Sequence, residues 1–239
     1  MHSRDKLIVA LDVGTKGEAE RLVKALSPQV SVFKVGKELF TAEGPAVIQM
    51  IHSYGAKVFL DLKFHDIPNT VGAACAAAAG HGVFMLNVHA LGGRKMMAQA
   101  VESARRAAEN AKKAPPVLLA VTVLTSLAES DLREMGVERP LETEVRELAL
   151  LAKACGLNGV VASGREIKLV REAAGKDFLI VTPGVRPLWA AQGDQKRVVT
   201  PKEAMELGAD YIVVGRPITQ DPAPASAAER VLKELAGFC

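Results

Sequence analysis

Short apolar runs recur along the whole chain, each closing near a glycine, a proline or a polar residue, which is the signature of buried strands. They span 7–13, 30–36, 57–63, 84–90, 117–125, 159–163, 178–183 and 211–216. Between them the apolar spacing changes to that of a helix. In 16–26, Ala19, Leu22, Val23 and Leu26 fall on one helical face. Segments 45–53, 69–79, 94–113, 141–154, 165–174, 201–207 and 225–235 read as further helices. Several start at or just after a proline, whose fixed φ suits a first turn.

Eight strands alternating with helices predict an α/β fold, a single (β/α)8 TIM barrel. An open doubly wound sheet is the competing architecture, but no GxGxxG follows the first strand. The strand–helix units are too uneven for a sequence repeat. No linker or low-complexity segment divides the chain, so 1–239 is read as one domain. Its 239 residues lie within the range of such a barrel.

Composition narrows the classes. Hydrophobic residues make up 49% of the chain but aromatics only 4%, so the core must be aliphatic. Thirty Lys and Arg against 27 Asp and Glu leave a net charge of +3, too small to argue for a nucleic-acid partner. Cys75, Cys155 and Cys239 are widely spaced and form no CxxC, which points to neither a disulfide framework nor a zinc site. No apolar run approaches the ~18–20 residues of a membrane span, and no signal peptide is recognisable. A soluble cytoplasmic protein is the expectation.

In a barrel of this kind the C-terminal strand ends carry function. Polar residues at those ends are therefore candidates, and the densest group is Asp61-Leu62-Lys63-Phe64-His65-Asp66. Strand alternation puts Asp61 and Lys63 on one face and Leu60, Leu62 and Phe64 on the other. The charged face then points into the barrel mouth, where a carboxylate beside an ammonium holds it in place. Asp66 lies past the strand, where the chain turns towards Pro68, within reach of the same spot or of a neighbouring subunit. Taken alone, such a string also fits a structural ion pair. Asp12 and Lys34 end the two preceding strands, however, and add charges of both signs to the same rim. Burying such an array costs several kcal/mol per ion unless it is used or compensated, which favours a functional site.

A second group is suited to phosphate. Phosphate sites in these barrels often lie after strands seven and eight. The seventh strand opens into Thr182-Pro183-Gly184-Val185-Arg186-Pro187, and the eighth ends in Gly215-Arg216-Pro217. Glycine lets backbone N–H groups approach a ligand, and arginine offers a fork for phosphate oxygens. The loop 184–200 exceeds the ~12–15 residues usual for a compact domain and suits a lid. Trp189 within it reads as a packing residue. His65 and His89 lack a ligand partner at helical spacing, so no metal is expected. Ser126 and Ser163 have no adjacent base, which leaves a hydrolase triad unsupported. The alanine run 73–79 reads as a helix packed on the sheet, and 94–113 as a solvated outer helix.

These residues together resemble the orotidine 5′-monophosphate decarboxylase family, in its bacterial form, over nearly the whole chain. The ordered motifs are ALDV with Asp12, FKVG with Lys34, DLKFHDIPNT from Asp61 to Thr70, and VTVLTS with Thr125. TPGVRP with Arg186, GDQKR with Gln195 and GRPIT with Arg216 follow. DxKxxD alone marks a wider superfamily, whose sugar-phosphate lyases are metal-dependent and carry an acidic residue where this chain has Lys34. A sugar-phosphate lyase or aldolase is thus the alternative, and a non-catalytic nucleotide-binding barrel a third reading.

The resemblance implies loss of the C6 carboxylate of orotidine 5′-monophosphate as CO2, giving uridine 5′-monophosphate, the last step of de novo pyrimidine nucleotide synthesis. It implies no cofactor and no metal. Lys63, held by Asp61 and Asp66, would place a cation at C6 and donate the proton there. Asp12 and Lys34 would bind the ribose hydroxyls, with Lys34 extending the charge array. Thr125 would meet the pyrimidine edge, and Pro183, Arg186, Gln195, Gly215 and Arg216 would form the phosphate end. Asp66, Ile67 and Thr70 are expected from the partner subunit of a homodimer.

Overall fold

A computed structural model describes residues 3–190 and 199–238. Eight parallel strands close into a barrel in sequence order. They are β1 (Leu7–Leu11), β2 (Val32–Gly36), β3 (Lys57–Phe64), β4 (Met85–His89), β5 (Val117–Val121), β6 (Gly159–Val161), β7 (Leu179–Thr182) and β8 (Tyr211–Val214). The helices begin with α1 (Ser3–Lys6), α2 (Lys16–Leu26), α3 (Lys37–Glu43), α4 (Ala46–Ser53), α5 (Pro68–Gly80) and α6 (Gly93–Asn110). They continue with α7 (Glu129–Glu134), α8 (Leu141–Ala154), α9 (Ile167–Ala174), α10 (Pro201–Glu206), α11 (Arg216–Thr219) and α12 (Pro224–Leu235).

Two apolar layers follow from strand alternation. Leu7, Val9 and Leu11 of β1, with their counterparts on the other strands, pack outwards against the helices. Ile8, Ala10, Val32, Phe59, Met85, Leu119, Val181, Tyr211 and Val213 fill the barrel interior. Continuing the inward stripe two residues at a time leads from Ala10 to Asp12, Val32 to Lys34, Phe59 to Asp61 and Met85 to Asn87. The lower barrel is therefore plugged by hydrocarbon, and the upper rim is polar.

All eight predicted strands are found, but their ends differ: six stop one to four residues earlier, β2 starts two residues later, β4 and β7 start one later, and β3 runs one residue further. Past the end of β5, Val123 stays buried although it no longer belongs to the ladder. Helices 16–26 and 141–154 are found as read. Short α1, α3, α7 and α11 were not anticipated, α11 beginning at the last residue of the strand read over 211–216, because they span only a turn or two and carry little periodicity. The alanine run lies on α5, which buries Val71, Gly72, Cys75, Ala78 and Ala79. It packs on its neighbour α6 as well as on the sheet: a Cβ at Gly72 would fall 2.7 Å from Ser103 Oγ, so glycine permits this close approach. The helix α6 is not purely a solvated face, since Met96, Met97, Ala100, Ala104 and Ala108 are buried beneath its charged side.

Candidate active site

The rim charges meet as their strand positions require. Lys34 Nζ donates to Asp12 Oδ1 at 2.9 Å and lies 3.4 Å from Asp61 Oδ2. Lys63 Nζ donates to the other Asp61 oxygen, Oδ1, at 2.6 Å. Asp61 is thus held between two ammonium groups from adjacent strands. Lys34 and Asp61 are each 9% exposed, whereas the Asp12 side chain is 58% exposed. Burial alone would lower the Lys34 pKa, but Asp61 and Asp12 together outweigh it and raise it above the ordinary lysine value. Gly36 leaves room for this contact: a Cβ there would sit 3.2 Å from Lys34 Nζ.

Lys63 lies where β3 departs from regular pairing. The β3–β4 register runs Phe59↔Met85 and Leu60↔Leu86, then resumes at Phe64↔Val88. In this break Lys63 adopts φ 53°, a left-handed conformation uncommon outside glycine. Asn87 of β4, fully buried, donates through Nδ2 to Asp61 Oδ1 at 2.7 Å and accepts the Lys63 backbone N–H at 2.8 Å. Asn87 was not among the sequence candidates. The signal was present, since it follows Met85 by two on the inward stripe of β4.

A cleft of about 190 Å³ extends from this array to the loops after β7 and β8. Asp12, Lys34 and Asp61 line one side, and Pro183, Arg186, Gly215 and Arg216 the other. Arg186 is buried and Arg216 exposed. The backbone N–H of Arg186 donates to Val199 O at 3.0 Å, bringing the two ends of the intervening loop together. Gly184 supplies the φ of 71° that turns the chain out of β7. Trp189, read as a packing residue, is 36% exposed and carries the Arg230 guanidinium 3.7 Å over its ring.

Not every candidate converges. Asp66 is exposed; its Oδ1 accepts the Ile67 N–H at 2.6 Å, and it forms no ion pair among the described residues. Among those residues Lys63 is therefore held by Asp61 alone. Asp66 was expected to reach the site of a partner subunit; within the protomer its carboxylate bonds its own backbone in the turn into α5. Ile67 is 66% exposed and Thr70 is exposed beside it. Thr125 stands four residues beyond β5, on the loop, and does not line the cleft. Gln195 lies outside the described residues. His65 and His89, apart in sequence, come together with ring centroids 5.3 Å apart. Among the described residues no three His, Cys, Asp or Glu side chains cluster so as to hold a metal ion.

A closed (β/α)8 barrel with a Lys–Asp–Lys array and a two-arginine loop pair at its C-terminal rim has the layout of a barrel enzyme. The chain belongs to the "Orotidine 5′-phosphate decarboxylase / HUMPS family", whose model matches residues 5–231. It is 55% identical to the orotidine 5′-phosphate decarboxylase of Syntrophotalea carbinolica, covering 99% of this chain and 97% of the relative. It is 54% identical to that of Geobacter sulfurreducens, covering 98% and 97%. Among solved structures, the orotidine 5′-phosphate decarboxylase from Lactobacillus acidophilus superposes with a TM-score of 0.85 at 41% identity, covering 96% of this chain and 98% of that one.

Proposed function

We infer that this chain is a carboxy-lyase that converts orotidine 5′-monophosphate to uridine 5′-monophosphate and CO2. The observation that carries this reading is the Lys63 ammonium, 2.6 Å from Asp61, at one end of an array whose other end opens on Arg186 and Arg216. Breaking the bond from C6 to the carboxylate leaves an electron pair in the plane of the pyrimidine ring, out of reach of its π system. Stabilisation must then be electrostatic, from charges already fixed in place. Lys63 supplies the cation next to C6 and afterwards its proton, leaving a neutral amine that solvent reprotonates. Asp61 holds that ammonium and, by the family pattern, lies near the substrate carboxylate.

Asp12 and Lys34 bind the ribose hydroxyls. Arg186, Arg216, Gln195, Pro183 and Gly215 form the phosphate end, whose binding energy helps order the site. Thr125 meets the pyrimidine edge. Asp66, Ile67 and Thr70 complete the site of a partner subunit in a homodimer. Their exposure supports this, as does the lack of an ion pair to Asp66 among the described residues.

A metal-dependent sugar-phosphate lyase is the reading to be tested against. The Lys34 ammonium already lies between Asp12 and Asp61, and a divalent cation drawn to those carboxylates would meet a fixed positive charge. Following the absorbance of orotidine 5′-monophosphate with and without EDTA decides the matter. Consumption unaffected by EDTA supports the decarboxylase; consumption abolished by EDTA, or none at all, sinks it. Among the described residues no helix is long and apolar enough to cross a membrane.

A further inference from the structure

We infer that Asn87 is the positioning residue that fixes the Lys63–Asp61 pair, an inference that rests on the decarboxylase reading above. Between Leu60↔Leu86 and Phe64↔Val88, β3 carries Asp61, Leu62 and Lys63 where β4 carries only Asn87. Regular ladder bonds cannot span that mismatch, and the Asn87 side chain takes their place. Its Oδ1 accepts the Lys63 N–H at 2.8 Å, and its Nδ2 donates to Asp61 Oδ1 at 2.7 Å. One amide therefore grips both the backbone of the lysine and the carboxylate that holds its ammonium.

The chemistry of the site allows little else at this position. The left-handed backbone of Lys63 is a conformation that persists only where the surroundings impose it. Asp61 Oδ1 receives both Lys63 Nζ and Asn87 Nδ2, which turns Oδ2 towards Lys34. Leucine would fill the volume but bond neither group. Aspartate would accept the N–H yet set a second carboxylate against Asp61. Asn87 is 0% exposed, so solvent does not replace a lost bond. The flipped amide would put donor against donor and oxygen against oxygen, so the orientation of the amide is settled by its neighbours.

Asp61 and Lys63 on β3 touch the amide, and the groups coupled to them or to the nearby His89 of β4 are Lys34 on β2, Asp12 after β1, Lys37 on α3 and His65 after β3. Against that background, replacing Asn87 by aspartate makes positioning depend on one proton. Ionised, the introduced carboxylate repels Asp61; protonated, it restores both bonds, with its O–H donating where the amide did.

The test is steady-state turnover of orotidine 5′-monophosphate by the full-length wild-type chain, N87A and N87D between pH 6 and 8. Uridine 5′-monophosphate affinity and thermal midpoint are measured alongside. For N87A, kcat should fall at least about tenfold while KM and product affinity change less than about threefold, the pattern of a misplaced proton donor. For N87D, kcat relative to wild type should rise as the pH falls from 8 to 6. If N87A proves too unstable to assay, that pH-dependent ratio still reads positioning, which a merely structural role would not move. A kcat within twofold of wild type in N87A, or a flat N87D ratio, overturns the role of Asn87 alone. A wild-type chain that leaves the nucleotide intact overturns this inference together with the decarboxylase reading.

Discussion

Lys63 folds its ammonium back to Asp61, two residues earlier on the same strand, with Nζ 2.6 Å from Oδ1. The pairing follows from strand alternation, which points both side chains into the mouth, while the left-handed backbone at Lys63 shortens the reach. Function and backbone comfort then pull in opposite directions at one residue. Lys63→Ala should abolish turnover while leaving uridine 5′-monophosphate binding measurable by calorimetry. Lys63→Gly should be equally inactive but more stable than Lys63→Ala by about 1 kcal/mol, because glycine adopts positive φ without strain. Equal urea midpoints for the two variants would remove the strain argument; near-normal activity in either would remove the lysine from the mechanism.

The Asp66 carboxylate bonds its own turn, and Ile67 beside it is exposed. If this edge completes a partner's site, Lys63→Ala and Asp66→Ala are inactive for reasons located on different subunits of one site. Mixing the two purified variants under conditions that let subunits exchange should then recover activity. Random reassortment gives half hybrids, each with one intact site of two, so about one quarter of the wild-type rate should return. No recovery, with exchange verified by mass-labelled subunits, would place Asp66 and Lys63 of one site on the same chain.

The barrel was legible because strands buried on both faces read as continuous apolar runs, and eight of them alternate with amphipathic helices. Asp12, Lys34, Asp61 and Lys63 were legible for a related reason: each lies on an inward stripe towards the C-terminal end of its strand or just past it. Asn87 was legible only in part: its place on the inward stripe of β4 could be read, but its role depends on the break in β3–β4 register, a relation between strands that neither segment displays alone. The His65–His89 contact is hidden in the same way, being made by neighbouring strands rather than by spacing. The stopping points of β5 and β6 were overextended because burial continues past the last ladder bond, through Thr122 and Val123 and through Ala162 and Ser163.

His89 offers a readout of the array through pH. Burial, then His65, Lys37 and Lys63, lower its pKa from 6.5 to about 4. Folding thus favours the neutral ring, and the stability contributed is complete above the unfolded value of 6.5. It is lost progressively as the pH falls from there through about 4. The thermal midpoint of the wild-type chain should therefore fall more steeply between pH 6.5 and 4 than that of His89→Asn, which has no proton to take up. Parallel curves for the two proteins would mean that His89 is not linked to folding.

Two arginines at opposite ends of the barrel separate stability from function. Arg171 of α9 pairs with Asp210 at 2.7 Å and donates to the carbonyls of Gly175, Lys176, Phe178 and Gly208, all just before β7 and β8. Asp210 Oδ2 also accepts the Ile180 N–H at 2.8 Å, so the pair ties the bottom entries of both strands together. Removing Arg171 leaves several partly buried acceptors unpaired, and Arg171→Ala should cost about 2–4 kcal/mol of unfolding free energy. Its kcat, measured well below the new melting temperature, should stay unchanged, since nothing in the clamp reaches the rim. Arg216, exposed at the cleft after β8, should behave in the opposite way. Losing one charge-assisted phosphate contact should weaken uridine 5′-monophosphate binding about 10–100-fold. The thermal midpoint of the free Arg216→Ala protein should be nearly unmoved. A large drop in that midpoint with affinity intact would make Arg216 a brace of its loop and shift phosphate recognition to Arg186.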